Sequence, residues 1–228
     1  MKKRLKFIAF WAVAIITFSS FAVLLLMEAN GYKFNTKSLK IQKTGLILVE
    51  ADPEPVVLHF AGKTKILIMQ ERLTKLLPGF YEVEITKDNY QTWNKKVHLD
   101  AGQAIDLTKI LLFLNNPKPQ EITDPSYHEK ITKTYKDQSK DLLIKENEIW
   151  SEEKFVTRFT DKVEAAIRIN RTNQIIFQVG QEIRVIDVDG SNNLLLVKLE
   201  NSTPTPLMYS AKKLYYLDGE KIFQTVIR

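Results

Sequence analysis

No cysteine occurs among the 228 residues. That absence excludes disulfide stapling, thiol catalysis, thiolate metal ligation and a lipoprotein thioether together. Histidine is nearly as scarce. His59, His98 and His128 are the only three, and no two of them fall at i, i+3 or i+4, so the spacing of paired metal ligands is missing. With eight glycines, all scattered at turns, there is no glycine-rich loop to cradle a phosphate, and no serine sits in a Gly-x-Ser-x-Gly elbow. Neighbouring carboxylates such as Glu146/Glu148 and Glu152/Glu153 read as solvated faces or turns, because acid–base work needs environments that push two pKa values apart. These absences leave no catalytic, cofactor-binding or metal-binding residue to nominate, and the chain reads as non-enzymatic.

What is present begins with Phe7–Met27, 21 residues without a charge, preceded by Lys2, Lys3, Arg4 and Lys6. At about 1.5 Å rise per residue such a helix spans a hydrocarbon core roughly 30 Å thick. Thr17, Ser19 and Ser20 interrupt the run, and each can bond back to a helix carbonyl. A cleaved signal has a shorter apolar core and a small-x-small site, whereas here Met27 stands two before Ala29. An uncleaved anchor is therefore expected. The basic flank predicts a cytoplasmic N-terminus, since Lys33, Lys37, Lys40 and Lys43 precede a long domain that translocates regardless of charge.

The net charge of +6 comes from those flanks. Of the 33 Lys+Arg and 27 Asp+Glu, residues 1–27 hold four basic and no acidic side chains, and 28–45 hold four Lys and one Glu. The remaining 25 basic and 26 acidic groups give residues 46–228 a net −1. A nucleic-acid partner is disfavoured, and the basic flanks suit anionic head groups.

Beyond the connector 28–43, period-2 alternation predicts short strands at Gly45–Glu50, Val56–Phe60, Lys65–Met69, Phe80–Lys87, Trp93–Leu99 and Ile105–Leu114. Turn signals separate them: Ala61-Gly62-Lys63, Pro78-Gly79, Asp88-Asn89 and Ala101-Gly102. Tyr81, Val83 and Ile85 share one face of their strand, and Glu82, Glu84 and Thr86 the other. This pattern describes a small antiparallel β-sandwich over residues 44–115.

These residues resemble the PEGA domain family over Thr44 to about Leu114. The likeness rests on Pro53-Glu54-Pro55-Val56, on Leu77-Pro78-Gly79-Phe80-Tyr81-Glu82-Val83, and on Lys87-Asp88-Asn89-Tyr90-Gln91-Thr92-Trp93. Pro55-Val56 departs from the Gly-Ala the family favours, and Asn89 from its Gly, although Asn is well suited to positive φ. The resemblance implies a surface module that binds or builds, with Pro53, Pro55, Pro78, Gly79, Tyr81, Tyr90 and Trp93 as signature residues of structural role. Tyr81, Tyr90 and Trp93 carry a second reading as an aromatic platform for a glycan. Core packing is favoured over it, because aromatics fill such sandwiches.

Asn115-Asn116-Pro117-Lys118-Pro119 marks a boundary, and 116–141 reads as a polar linker, which makes 44–115 a separate module. From Leu142 a strand–turn–strand pattern recurs. It appears at Leu142–Trp150, at Ile175–Asp187 (33 residues on) and at Leu214–Gln224 (another 39 on). The period resembles propeller blades of the TolB or WD type, but three partial blades fall short of a ring of four or more. Either earlier residues supply strands or the array is an open remnant. Within it, Asp187-Val188-Asp189-Gly190-Ser191-Asn192-Asn193 looks like a calcium loop, yet Gly190 as the turn glycine puts Val185 and Leu196 at the first and twelfth ligand positions, so a hairpin turn is expected.

The expected fold class is an all-β ectodomain: a small sandwich plus partial propeller-like hairpins (142–228), with one N-terminal transmembrane helix (1–27). The expected function is that of a single-pass, membrane-anchored, extracytoplasmic binding or structural protein of the cell envelope. Its partners would be the membrane and an envelope polysaccharide or envelope proteins. The alternative is an accessory subunit of an envelope complex, and a propeller-type glycan hydrolase ranks third.

Overall fold

Helix α1 (Lys2–Ala29) begins a computed structural model that describes residues 2–36, 39–170 and 172–228; Lys37 of the juxtamembrane lysines lies outside them. Over Lys6–Ala29 its mean hydropathy reaches 2.3 and none of its apolar window is buried. A helix apolar on every face needs an apolar surrounding or a protein cover, and the described residues bury none of its apolar window. Thr17 Oγ1 and Ser20 Oγ donate to the carbonyls of Val13 and Ile16, each at 2.8 Å, which satisfies their hydroxyls within the helix.

The chain then runs through the hairpin β1 (Tyr32–Asn35) and β2 (Lys40–Lys43). Next come β3 (Gly45–Asp52), β4 (Val56–Phe60), β5 (Lys63–Leu67), β6 (Glu71–Leu76), β7 (Gly79–Thr86), β8 (Trp93–Leu99) and β9 (Ala104–Leu111). They form a three-stranded sheet, β6-β3-β9, and a four-stranded sheet, β5-β4-β7-β8. The strands β4 and β8 occupy the residues that alternation marks, and the two-residue alternation of β7 buries Val83 and Ile85 completely. Asn89 adopts φ 67°, the left-handed turn expected of an Asn there.

The stretch 116–141 is not bare linker: it carries β10 (Pro119–Ile122) and the 13-residue helix α2 (Ser126–Gln138). Beyond it lie β11 (Leu142–Lys145), β12 (Glu148–Ser151), β13 (Lys154–Arg158), β14 (Val163–Arg168), β15 (Gln174–Val179), β16 (Glu182–Asp187), β17 (Leu194–Lys198), β18 (Met208–Ser210), β19 (Lys213–Asp218) and β20 (Lys221–Val226). Each of the three recurring patterns is an antiparallel hairpin, namely β11–β12, β15–β16 and β19–β20. They belong to three separate sheets: β11-β12-β13, β14-β15-β16-β17 and β10-β20-β19-β18. Three such sheets fall short of a ring, and no closed propeller forms among the described residues, so the likeness to blades goes no further than the hairpins themselves. Earlier residues do supply a strand, β10, and it completes the last sheet by pairing with β20.

Two compact units divide the chain, and their limits do not fall at residue 115. The first comprises Met1–Val49, Glu71–Tyr81 and Val97–Leu107; the second comprises Glu50–Gln70, Glu82–Lys96 and Thr108–Arg228. In the first, the carbonyl of Gly31, at φ +80°, accepts from both the N–H and the hydroxyl of Thr44 (2.7 and 2.8 Å), which fixes the end of β2 to the turn after α1. Gly45 lies against the turn that joins β8 to β9: a Cβ there would stand 2.6 Å from the Gln103 carbonyl and 2.9 Å from Leu99 Cδ1. Gly45→Ala is therefore expected to lower stability by about 1–3 kcal/mol, the cost of overpacking. An unchanged urea midpoint for that variant would show that the edge relaxes freely.

In the second unit, the largest cluster gathers Leu111 and Phe113 with Ile167, Ile176, Val185, Leu214 and Tyr216. A second packs Ile149 and Val156 against Ala166, Ile175 and Phe177, and a third seats Ile131 of α2 on Met208, Tyr215 and Ile222. The residues directly after β9 thus lie in the same core as the C-terminal sheets.

Candidate functional site

Strand β8 opens with Trp93, which alternation places on the inward face; its side chain is 3% exposed. A buried indole needs an acceptor for its N–H. Here Trp93 Nε1 donates to Asp187 Oδ2 at 3.0 Å, at the end of β16. Asp187 is itself buried, and burying a carboxylate is costly unless donors surround it. They do. Gln174 Nε2 reaches Oδ1 at 2.8 Å, and Asn192 Nδ2 and Ser191 Oγ reach Oδ2 at 2.9 and 3.3 Å.

The loop from Asp187 to Asn193 joins the antiparallel strands β16 and β17, as a hairpin turn should. Gly190 takes φ +84° with its α-carbon so near Val156 that a Cβ would stand 2.7 Å from that carbonyl oxygen. Asp189 meets Lys95 of β8 at 2.6 Å, and Asn94 N–H donates to Asn192 Oδ1 at 3.1 Å. Burial pushes the Asp189 carboxyl up, but hydrogen bonds from Lys95 and Ser191 and the Lys95 charge outweigh it and hold it below the usual carboxylate range. A depressed folded-state pKa makes this pair stabilising above the ordinary carboxylate range, and its contribution fades as pH falls through the folded value. Gln91 adds a backbone clamp, its Nε2 donating to the carbonyls of Leu195 (2.8 Å) and Leu114 (3.2 Å). The carboxylate oxygens of the loop face protein donors, and among the described residues no group of three or more His, Asp or Glu is gathered for a metal ion.

Tyr81 sits on β7, half-buried, and its hydroxyl donates to the Leu77 carbonyl at 2.7 Å, closing the Pro78-Gly79 turn. Burial raises its phenol above the ordinary value. Tyr90 is half-buried beside an antiparallel bridge to Leu114, and Lys87 Nζ lies 5.9 Å from its ring centre. Pro53 and Pro55 lie between β3 and β4, where the Pro55 carbonyl accepts from Lys87 Nζ at 2.6 Å. Turn, aromatic strand, second turn and buried Trp93 follow one another along β7 and β8. Residues 61–112 match the PEGA domain. The match takes in Pro78, Gly79, Tyr81, Tyr90 and Trp93 of the PEGA signature, and begins after Pro53-Glu54-Pro55-Val56. No curated protein matches the chain.

Within the PEGA segment, Trp93 offers solvent no ring face on which a sugar could stack. His59, also in a strand, bonds Thr64 and Thr86 at 3.1 and 3.2 Å, and His98 faces Asp100 at 3.5 Å. Asp187, read from sequence only as the start of a hairpin turn, is the buried acceptor here, and its partner Gln174 and the clamp Gln91 are the residues sequence reasoning missed. A faint signal exists for the first: Asp187 ends the apolar run Val185-Ile186 at a position that continues a buried strand.

Proposed function

We propose that the chain is a single-pass membrane-anchored protein of the cell envelope whose PEGA-containing ectodomain acts outside the cytoplasm as a non-enzymatic binding or structural module. One observation carries the reading: an apolar helix of membrane-spanning length, its apolar window unburied by the described residues, precedes β-sheets that include a PEGA match at residues 61–112. The basic N-terminal flank supports a cytoplasmic N-terminus. The near-neutral ectodomain supports a polysaccharide or protein partner of the envelope over nucleic acid.

Expressed in a bacterium, the full-length protein should stay with membranes through a carbonate wash and yield to protease only from the outer side. Recovery of a soluble form beginning near Asn30 would overturn the anchor, and protection of the ectodomain in intact cells would overturn the orientation. The second reading, an accessory subunit, predicts a stoichiometric complex surviving gentle detergent extraction.

A further inference from the structure

Directly after α1, the hairpin β1–β2 leaves an apolar face uncovered. Its register pairs Tyr32 with Lys43 and Phe34 with Ile41, so these four side chains share one face, while Lys33, Asn35, Lys40 and Gln42 share the other. Phe34 is 53% exposed, and Tyr32 and Ile41 are exposed similarly. An isolated two-stranded ribbon has no core of its own, so such a face has to be covered by something else.

The place of the hairpin decides by what. Only Asn30 and Gly31 separate α1 from β1, and two extended residues reach about 7 Å. The head-group layer on each side of a bilayer is roughly 5–7 Å deep. Asn30 also caps the helix, its N–H and Nδ2 donating to the Leu26 carbonyl at 3.1 and 2.7 Å, and Thr44, directly after β2, pins the base of the hairpin to Gly31. A ribbon tied this closely at its base starts at the membrane surface once α1 spans the bilayer.

A cleft of about 460 Å³ opens between the last turns of α1 and the hairpin, with Leu24, Met27, Phe34 and Ile41 as walls and Lys33 at its edge. A second, of about 330 Å³, lies on the opposite flank of Tyr32, beside Val23, Leu26 and Lys43. Both clefts continue onto helix turns that a bilayer would surround. Aromatic residues favour this depth, and lysines there meet anionic lipid.

We infer that β1–β2 is an interfacial lipid-binding element: Tyr32, Phe34 and Ile41 enter the boundary between head groups and acyl chains, and Lys33, Lys40 and Lys43 engage anionic head groups. This rests on the reading of α1 as a membrane anchor. The charge and the continuity with α1 select the lipid surface over a protein partner.

The absence of cysteine makes the test direct, because any cysteine introduced is unique. Full-length Phe34→Cys, Ile41→Cys and Val13→Cys variants would each be nitroxide-labelled and reconstituted into phosphatidylcholine vesicles with and without phosphatidylglycerol. Collision with oxygen and with a water-soluble nickel chelate gives the depth of each label. Labels at 34 and 41 should show several-fold fewer nickel collisions than the same labels in detergent-free aqueous peptides, and the label at 13 should lie in the hydrocarbon. Phosphatidylglycerol should deepen the labels at 34 and 41, and the triple variant Lys33→Gln/Lys40→Gln/Lys43→Gln should abolish that response. Water-exposed labels at 34 and 41 with a buried label at 13 would overturn the hairpin proposal and keep the anchor. A water-exposed label at 13 would overturn the anchor itself. Depths indifferent to phosphatidylglycerol would remove the anionic-lipid role.

Discussion

Trp93→Ala should lower the stability of the full-length protein by about 3–5 kcal/mol, the usual scale for emptying a large aromatic site. The side chain is almost wholly buried, and its loss strips the Asp187 carboxylate of one donor in a place water reaches poorly. Trp93→Phe separates the two effects. It keeps most of the ring and removes only the N–H, so its cost should fall near 1–3 kcal/mol, the range for leaving a buried polar group short of a partner. Asp187→Ala should cost at least as much as Trp93→Phe, because the donors of Trp93, Gln174 and Asn192 lose their acceptor together. Denaturant melts followed by near-ultraviolet circular dichroism would read all three. A Trp93→Ala protein that unfolds at the wild-type midpoint would mean that this ring carries no packing.

A fragment limited to residues 44–115 should show no cooperative unfolding transition, whereas residues 44–228 should show one. The second compact unit draws on both sides of residue 115, and the cut removes several supports of β8 and the residues beside it. Trp93 loses Asp187, Gln91 loses the Leu195 carbonyl, and Lys95 loses Asp189. Leu111 and Phe113 lose the apolar cluster that buries them, and Leu114 N–H loses the Ile227 carbonyl at 2.9 Å. A sigmoidal thermal melt from 44–115 alone would show that the sheets before residue 115 hold together without these contacts.

How much of this could be read from residues alone follows a physical line. Strands with one buried and one wet face announce themselves by alternation, which is why β4 and β8 lie where the pattern puts them and why the three C-terminal hairpins were visible. The helix α2 was not, because its sequence is dominated by Lys, Thr and other polar residues. Only Ile131 is fully buried, and the N-cap residue is Pro125, whose side chain carries no acceptor to cap with, so the Ser126 N–H is taken up by Asp124 instead. The stripe Tyr127, Ile131, Tyr135 at intervals of four was the available signal, and the prolines at 117 and 119 drew attention toward a linker instead. The cluster around Asp187 lay further out of reach. Its carboxylate and the indole it serves are 94 residues apart, and nothing local in either strand names the other. The closure of blades into a ring is equally non-local: the hairpins are visible, but their number and their partners across the chain are not.

The pairing of β10 with β20 sets an order on the life of a newly made chain. Gln120 lies opposite Gln224, a partner 104 residues further on, and β20 also holds β19 on its other edge. An inner strand of that sheet is thus synthesised about a hundred residues after the edge strand it must capture. Contacts of such long sequence separation form late and slowly. Until β20 arrives, β10 has no ladder partner, and Met208, Tyr215 and Ile222 cannot gather beneath α2. A chain stalled before residue 221 would therefore present an open sheet edge and exposed apolar surface, the features by which quality-control proteases and chaperones tell an unfinished protein from a finished one.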